Sequence, residues 1–573
     1  MAAETATSAP AHSNGTCAAN GKKAKLHGRA FYESIGSPKL ILAPMVEQSE
    51  FAWRLLSRSF LPPSQQTNLL AYSPMFHSRM FGEKSNYRDS HFQPLKSTTP
   101  SPPDSYHVSQ LPDAERHLDG NPAFDRPLTV QFCSNDPDDL LTAAKHVAPF
   151  CDAVDLNLGC PQGIAKRGKY GAFLQEDWDL IARMIKKCHE ELDVPITAKM
   201  RVLETKEKTL EYAKTLLNAG ASLITVHGRR REQKGHNTGL ADWTFIRYLR
   251  ENLPKETVIF ANGNILQYED IQACLDATGA DGVMSAEGNL YDPTIFAAPP
   301  PVGEEGREYW RGKDGKGGYR MDAVFRRYMD IIHKYALGQE PPARKPLWMP
   351  GDPEDAVTEE QSEEEGPPKK KQKQTQPQQP KDKKGTKTTN PNLTAMQAHL
   401  FHLLRPLVSQ HHNVRDALAR SRTGDIDAFE NVLKLTEAAV KEGITAYEAE
   451  QANGVVEAAP VEQPIENLDP YESSLATVAR CKRPYWVCQP YVRPLPKEAI
   501  EKGSMSLSKK EKRRLEIEAE EAKKAGLEPE GRVQKESVQS GEVEGKESLE
   551  ENERRAEELE GVVEEPKEGV VCG

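Results

Sequence analysis

The chain has 573 residues, with 75 Lys and Arg against 86 Asp and Glu, a formal charge of -11 at neutral pH. That length leaves room for one large core and a smaller second unit, and the acidic balance excludes a protein that holds nucleic acid through its overall charge, so any such contact has to come from local basic patches. Nine cysteines, at 17, 133, 151, 160, 188, 274, 481, 488 and 572, show no pairing pattern, which suits a reducing compartment.

Residues 1–28 are rich in Ala, Ser, Thr and Asn and lack an apolar core, so no secretory signal is expected. Glu4 and the shortage of Arg weigh against a mitochondrial presequence. Residues 1–35 read as a disordered N-terminus. No apolar run approaches the roughly 20 residues that a membrane helix needs, and no membrane partner is expected. Cys481 and Cys488 lack a second pair or a nearby His, and no metal site is expected.

From residue 38 onward, short apolar segments recur at 40–45, 69–72, 128–132, 153–158, 195–200, 223–227, 258–262 and 282–285. Each reads as a strand. Amphipathic helical patterns follow most of them, best at 136–148, 177–191, 206–219 and 267–278. Asp136 and Asp177 are N-cap candidates. Gly220 and Gly279 stand where a C-cap glycine belongs. The stretch 76–127 interrupts the pattern and reads as an insertion. Eight strands alternating with helices predict an α/β fold, a parallel (β/α)8 TIM barrel over residues 36–305, with a doubly wound sheet as the alternative.

In such a barrel the chemistry sits at the C-terminal strand ends. Here those ends carry Pro44, Met45 and Val46, then Gln131, then Asn157 with Cys160, then Lys199 with Arg201, then His227, Gly228 and Arg229, then Asn262, Gly263 and Asn264, then Ala286, Glu287 and Gly288. Each alone has a bland explanation: Lys199 a surface lysine, His227 a satisfied core histidine, Asn262-Gly263 a turn. A lone cysteine is more often a small buried hydrophobe than a reagent. Together they form a polar ring around one pole of a barrel, which packing does not explain. A flavin fits that ring, because it needs hydrogen-bonding groups along its pyrimidine edge and a positive charge near N1 and O2. Lys199 supplies the charge and Gln131 and His227 the hydrogen bonds. The loops after strands seven and eight are where a barrel holds phosphate, and the glycines at 263 and 288 permit close backbone approach there. No G-x-G-x-x-G follows a strand, so a Rossmann dinucleotide domain is not expected.

Leu42-Ala43-Pro44-Met45-Val46, Asp155-Leu156-Asn157-Leu158-Gly159-Cys160-Pro161, Gly171-Ala172-Phe173-Leu174, Lys199-Met200-Arg201, Thr225-Val226-His227-Gly228-Arg229 and Ala261-Asn262-Gly263-Asn264 resemble the tRNA-dihydrouridine synthases over roughly residues 36–300. The wider layout looks most like the eukaryotic branch acting at positions 16 and 17 of the tRNA D-loop. The resemblance implies reduction of a uridine base by FMN, which is itself reduced by NADPH or NADH. It implies cofactor contacts from Pro44, Met45, Val46, Gln131, Lys199, His227, Asn262, Gly263, Asn264, Ala286 and Glu287. Asn157 and Arg201 would meet the substrate, and Cys160 would deliver a proton to C5 of the uracil. One departure stands out. Many members carry Gly-Arg near the eighth strand, where this chain has Ala286-Glu287, so the phosphate contacts expected there come from backbone N–H groups. Two alternatives remain open at this point: a reductase or dehydrogenase of a free pyrimidine or dihydropyrimidine, and a non-catalytic RNA-binding scaffold.

After the barrel, helical stripes run through Val324, Phe325, Tyr328, Ile331, Ile332 and Tyr335, and again through Leu393, Met396, Leu400, Leu403 and Leu407. Between them 351–391 is first acidic and then rich in Lys, Gln and Pro, and reads as disordered. Residues 306–450 therefore read as a small all-α domain interrupted by 351–391. The resemblance makes it a tRNA-binding domain, with Arg405, Arg415, Arg420 and Arg422 as candidate phosphate contacts; mRNA is a further RNA to test. In the last segment, 451–573, Tyr485, Trp486 and Tyr491 lie among Arg480, Lys482, Arg483 and Arg493. They either stack on RNA or pack back onto the barrel. Lys509-Lys510-Glu511-Lys512-Arg513-Arg514 reads as a nuclear-localisation or RNA-contact patch, ahead of an acidic disordered tail. The expected setting is a monomer in the cytoplasm, the nucleus or both.

Overall fold

The structure, a computed structural model, describes residues 25–96, 116–352, 388–452, 474–496 and 498. Eight parallel strands close a barrel: β1 (Leu40–Leu42), β2 (Leu69–Tyr72), β3 (Leu128–Cys133), β4 (Ala153–Leu158), β5 (Ile196–Arg201), β6 (Ile224–His227), β7 (Ile259–Asn262) and β8 (Gly282–Ser285). Each pairs with its neighbour in order, and β1 closes the ring against β8, Ile41 opposite Met284 and Leu42 opposite Ser285. The doubly wound alternative is thereby excluded. β1 stops at Leu42 although its apolar run continues, because Pro44 has no N–H to offer a ladder.

The expected helices form as Pro137–Val147, Trp178–Glu191, Lys206–Asn218 and Glu269–Thr278. Asp136 caps the first, its side chain accepting from Asp138 N and Asp139 N, and Asp177 caps the second through Leu180 N. Gly279 is left-handed and closes the last onto Leu275 O.

Several expectations need correction. The segment 76–127 is not a simple insertion. Phe76–His77 pairs in parallel with Phe132 and Cys133, and Phe76, Phe81 and Phe92 are buried in a ring cluster with Phe132. Those phenylalanines follow neither period two nor period 3.6, so the sequence pattern does not announce them as core. The stretch 97–115 lies outside the described residues. Nor is 1–35 disordered throughout, because Gly28–Ser34 is a helix whose Phe31 and Tyr32 are buried, with the Tyr32 hydroxyl donating to Asp281 O and Pro38 O beneath the barrel.

The helical region comprises Met321–Ile331, Pro391–Thr394, Met396–Leu403, Arg405–Gln410, His412–Arg420 and Ile426–Ala452. A two-stranded antiparallel hairpin, Tyr309–Arg311 with Gly317–Tyr319, precedes it, so this region is not purely helical. The expected disordered stretch 351–391 ends early, since Asn390 caps Pro391–Thr394 through Asn392 N; 353–387 lies outside the described residues. The helices share one core with the barrel. His399 stacks on Trp53 at 3.8 Å, its Nε2 bonds the Glu50 carboxylate at 2.9 Å, and Asn392 accepts from Ala52 N at 2.9 Å.

The basic and aromatic segment resolves in favour of packing. Met321 N donates to Trp486 O and Cys488 N to Tyr319 O, each at 2.9 Å, and Tyr485 donates its hydroxyl to Ala439 O. Trp486, Val487 and Cys488 are buried. The patch at 509–514 and the acidic tail lie outside the described residues.

Candidate active site

Pro44, Met45, Val46, Gln131, Asn157, Cys160, Lys199, Arg201, His227, Asn262, Gly263, Asn264, Ala286 and Glu287 all lie in or just after the C-terminal halves of strands β1, β3, β4, β5, β6, β7 and β8. These residues thus gather at one pole of the barrel. What each side chain does there is more specific than its position suggests.

The β4 tip is held by its own asparagine. Asn157 Oδ1 accepts from Gly159 N at 3.1 Å and from Cys160 N at 2.9 Å, and Asn157 Nδ2 donates to Gln131 Oε1 at 2.8 Å. Arg201 braces the same turn, donating from Nε to Gly159 O at 2.7 Å and from Nη1 to the carbonyls of Arg230 and Gln233. Both residues are expected to meet substrate; the groups named here hold the Cys160 turn and tie it to β3. Gly171 sits against that turn with φ +65, and a Cβ there would come within 2.7 Å of Cys160 O. Only glycine fits.

Cys160 is 1% exposed and packs with Cys133, Ala165 and Tyr170, with Val46, Met75 and Phe173 alongside. Burial pushes the Cys133 thiol up, with Cys160 as the next contributor, so Cys133 stays protonated at neutral pH and is no nucleophile. Neither Cys133 nor Tyr170 stood out in the sequence, where they lie 27 residues before and ten after the tip.

Inside the barrel mouth, Gln131 Nε2 donates to Asp155 Oδ2 at 2.8 Å and Thr197 Oγ1 to Asp155 Oδ1 at 2.5 Å. Burial raises the Asp155 pKa to about 6, against the pull of these hydrogen bonds and of Lys199. Lys199 is 3% exposed, a cation brought deep into the barrel beside an acid.

On β6, burial and the cations Arg201, Arg229 and Lys199 hold the His227 pKa well below its usual value. Its Nε2 lies 3.1 Å from Arg229 Nη1. A guanidinium only donates, so Nε2 accepts and the proton of the neutral ring is on Nδ1. Asn262 donates from Nδ2 to Met284 O, while its Oδ1 is buried with no hydrogen-bond partner among the described residues. A buried orphan acceptor at a strand end is what a donor on a bound molecule would satisfy.

The side chains of Asn264 and Glu287 are engaged by the protein itself. Asn264 Oδ1 accepts from Ala241 N and Arg229 Nη2, and its Nδ2 donates to Ala241 O, so its side chain ties the 229–241 loop to the end of β7. Glu287 is turned to Arg493, whose Nε and Nη2 both reach its Oε1, at 2.9 and 2.5 Å. A carboxylate cannot donate to a phosphate. At this end of the barrel backbone groups, arginines and a few Ser, Thr and Asn side chains can, and Arg493 comes from a segment whose packing no local pattern disclosed.

The dihydrouridine synthase (Dus) family profile matches residues 41–309. A Schizosaccharomyces pombe protein named tRNA-dihydrouridine(16/17) synthase [NAD(P)(+)] is 41% identical over 472 residues, 82% of this chain and 92% of the relative. The Saccharomyces cerevisiae protein of the same name is 39% identical over 506 residues, 87% of this chain and 95% of the relative. A Rattus norvegicus protein named as tRNA-dihydrouridine(16/17) synthase [NAD(P)(+)]-like is 34% identical over 507 residues, 88% of this chain and 84% of the relative. With a barrel of this topology, a cysteine at the β4 tip and kinship along nearly the whole length of these relatives, the chain belongs to the dihydrouridine synthase family.

Proposed function

We propose that the protein reduces the C5–C6 double bond of uridine in tRNA, at positions 16 and 17 of the D-loop, using FMN and NADPH or NADH. The observation that carries the reading is the strand-tip set: Cys160 on β4, buried Lys199 on β5 and neutral His227 on β6, on adjacent strands of one barrel mouth. The residues fit a flavin. Asn262 Oδ1 is a buried acceptor in need of a donor, Lys199 is a cation out of water, and Gln131 retains one amide N–H beyond its bond to Asp155. Gln131, Lys199, His227 and Asn262 would hold the ring system.

When bound and reduced, FMN supplies a hydride to C6 of the uracil. Negative charge then develops toward C5 and O4, because the double bond is conjugated to the C4 carbonyl. Cys160 gives its thiol proton to C5, and the thiolate that remains is reprotonated from water. Asn157 and Arg201 fix the turn that carries the thiol. Because Cys160 is covered, the cover that includes Tyr170 and Phe173 has to shift for a base to reach it. A base inside folded tRNA must likewise swing out of its stack.

All these residues come from a single chain, so a monomer suffices. mRNA uridines offer the same ring and belong in the same assay, and the reading places the protein in the cytoplasm, the nucleus or both, where such RNA is found. The decisive experiment maps dihydrouridine in tRNA from cells lacking the protein. Loss at positions 16 and 17, restored by the intact chain but not by Cys160→Ala, is the expected result. Retention of dihydrouridine at both positions would refute it.

A further inference from the structure

The pocket at the ends of β7 and β8 is walled on one side by Gly263, Ala286 and Gly288 and on the other by Tyr491, Arg493 and Leu495. The second wall enters from a segment about 200 residues further along the chain. It is fastened at several points. Arg480 Nη1 bonds Asp270 Oδ1 at 2.5 Å, Arg405 lies 3.9 Å over the Tyr491 ring, and Arg493 holds Glu287. Gly288 lets the β8 loop close tightly, since a Cβ there would lie 2.3 Å from Ile265 O.

The pocket gathers cations. Arg229 donates to Gly239 O, His227 Nε2 and Asn264 Oδ1, all neutral acceptors. A guanidinium has five N–H groups, so two remain after these bonds. Burial and the neighbouring Arg201 push the Arg229 pKa down to about 10, with Glu287 as the opposing carboxylate. Arg229 is therefore a fixed positive charge short of a counter-ion. Glu287 alone would repel an anion here, but Arg493 neutralises it.

The strands point to what the anion is. A barrel places phosphate in the loops after its seventh and eighth strands, and the β8 loop of this chain, Ala286-Glu287-Gly288-Asn289, carries no cation of its own. We propose, resting on the reading of this barrel as an FMN site, that Arg493 is a ligand of the flavin's phosphate, delivered by the strap 491–495 opposite Arg229. The C-terminal strap thereby supplies to the pocket a cation that the β8 loop lacks. Arg493 bridges the phosphate and Glu287 when the cofactor is bound, and Glu287 positions it. The segment is thus part of the cofactor site rather than an RNA-stacking arm.

Riboflavin separates the phosphate from the ring, because it has the same ring and ribityl chain without the anion. The full-length protein, freed of flavin, is titrated with FMN and with riboflavin by quenching of flavin fluorescence. Wild type should prefer FMN. Arg493→Ala should lower FMN affinity about tenfold to a hundredfold, the range for a lost hydrogen bond to a charged group, and leave riboflavin affinity within about twofold on the same scale. Arg493→Lys should keep part of the preference. Glu287→Gln, which removes the competing carboxylate and leaves the strap in place, should tighten FMN and not riboflavin. The proposal is overturned if Arg493→Ala leaves FMN affinity unchanged, or weakens both flavins equally, since the strap would then be a cover without a phosphate contact. Wild type that binds both flavins equally would remove the phosphate from this pocket. Wild type that binds neither would refute the flavin reading itself.

Discussion

Asn157 holds Cys160 from behind. Its side-chain oxygen accepts the Cys160 backbone N–H at 2.9 Å while its amide nitrogen donates to Gln131 at 2.8 Å. The residue that aims the thiol is therefore bonded to a residue assigned to the flavin ring. A change at 157 therefore acts on the thiol's turn directly and on the cofactor only through Gln131.

Asn157→Ala should keep FMN and slow tRNA reduction about tenfold to a hundredfold, part of the range for a displaced general acid. Asn157→Asp keeps an acceptor for the Cys160 N–H and loses the donation to Gln131, so it should lie between the two. Single-turnover reduction of tRNA by pre-reduced enzyme, alongside FMN content, checks this. Equal rates in all three proteins would mean that the turn holds itself.

Lys199→Met should make bound FMN harder to reduce. A buried cation near the ring favours its reduced form, and a lost interaction of about 2 kcal/mol corresponds to about 40 mV in a two-electron couple. Redox titration of the variant should show a shift of that order to more negative potential. An unchanged potential would take Lys199 out of the flavin's reach.

The barrel, its order and the polar pole were legible in the sequence because each strand is an apolar run ending in Gly, Pro or a polar residue, and each helix carries a 3.6-residue stripe. The side-chain assignments at the pole were not. Asn262 and Asn264 look alike in the sequence, yet one has a buried orphan oxygen and the other has its oxygen bonded to both Arg229 and Ala241. Which asparagine is available depends on a loop more than twenty residues away. Arg493 and Tyr491 were equally compatible with RNA stacking and with packing, since aromatic and basic residues serve both ends. Tertiary contacts with Glu287 and Arg405 decide it.

The binding of RNA by the helical region is best tested by single residues. Removing 321–450 would strip His399 from Trp53 and Met321 from Trp486, exposing the barrel's own core. Arg415, Arg420 and Arg422 are exposed on the outer face. Replacing all three by Ala should raise KM for tRNA and leave FMN binding unchanged. The slope of log affinity against log salt should fall by about 0.7–0.9 for each phosphate that is no longer neutralised. An unchanged slope would place RNA binding elsewhere on the protein.

Asp155 gives a pH signature. Its folded pKa is raised to about 6 from 3.8, chiefly by burial. A raised carboxyl pKa means that the fold favours the protonated form, so this stabilising contribution is full below about pH 4 and is lost as pH rises through about 6. The difference amounts to about 3 kcal/mol. Asp155→Asn cannot titrate, so stability relative to wild type should drift in the variant's favour across that window, read from denaturant midpoints at pH 4 to 7. A pH-independent difference would mean that Asp155 is ionised throughout.

The most direct test of the central claim is a pair of half-reactions on Cys160→Ala. NADPH should reduce its FMN at the wild-type rate, because the thiol serves the uracil and not the nicotinamide. Reoxidation by tRNA should slow by about 10² to 10⁴, the loss expected for a positioned general acid. Cys160→Ser, a much weaker acid in similar space, should recover little. If instead Cys160→Ala lost reduction by NADPH while the pre-reduced variant still reduced tRNA at the wild-type rate, Cys160 would belong to the other half-reaction, and the proton-donor assignment would be contradicted.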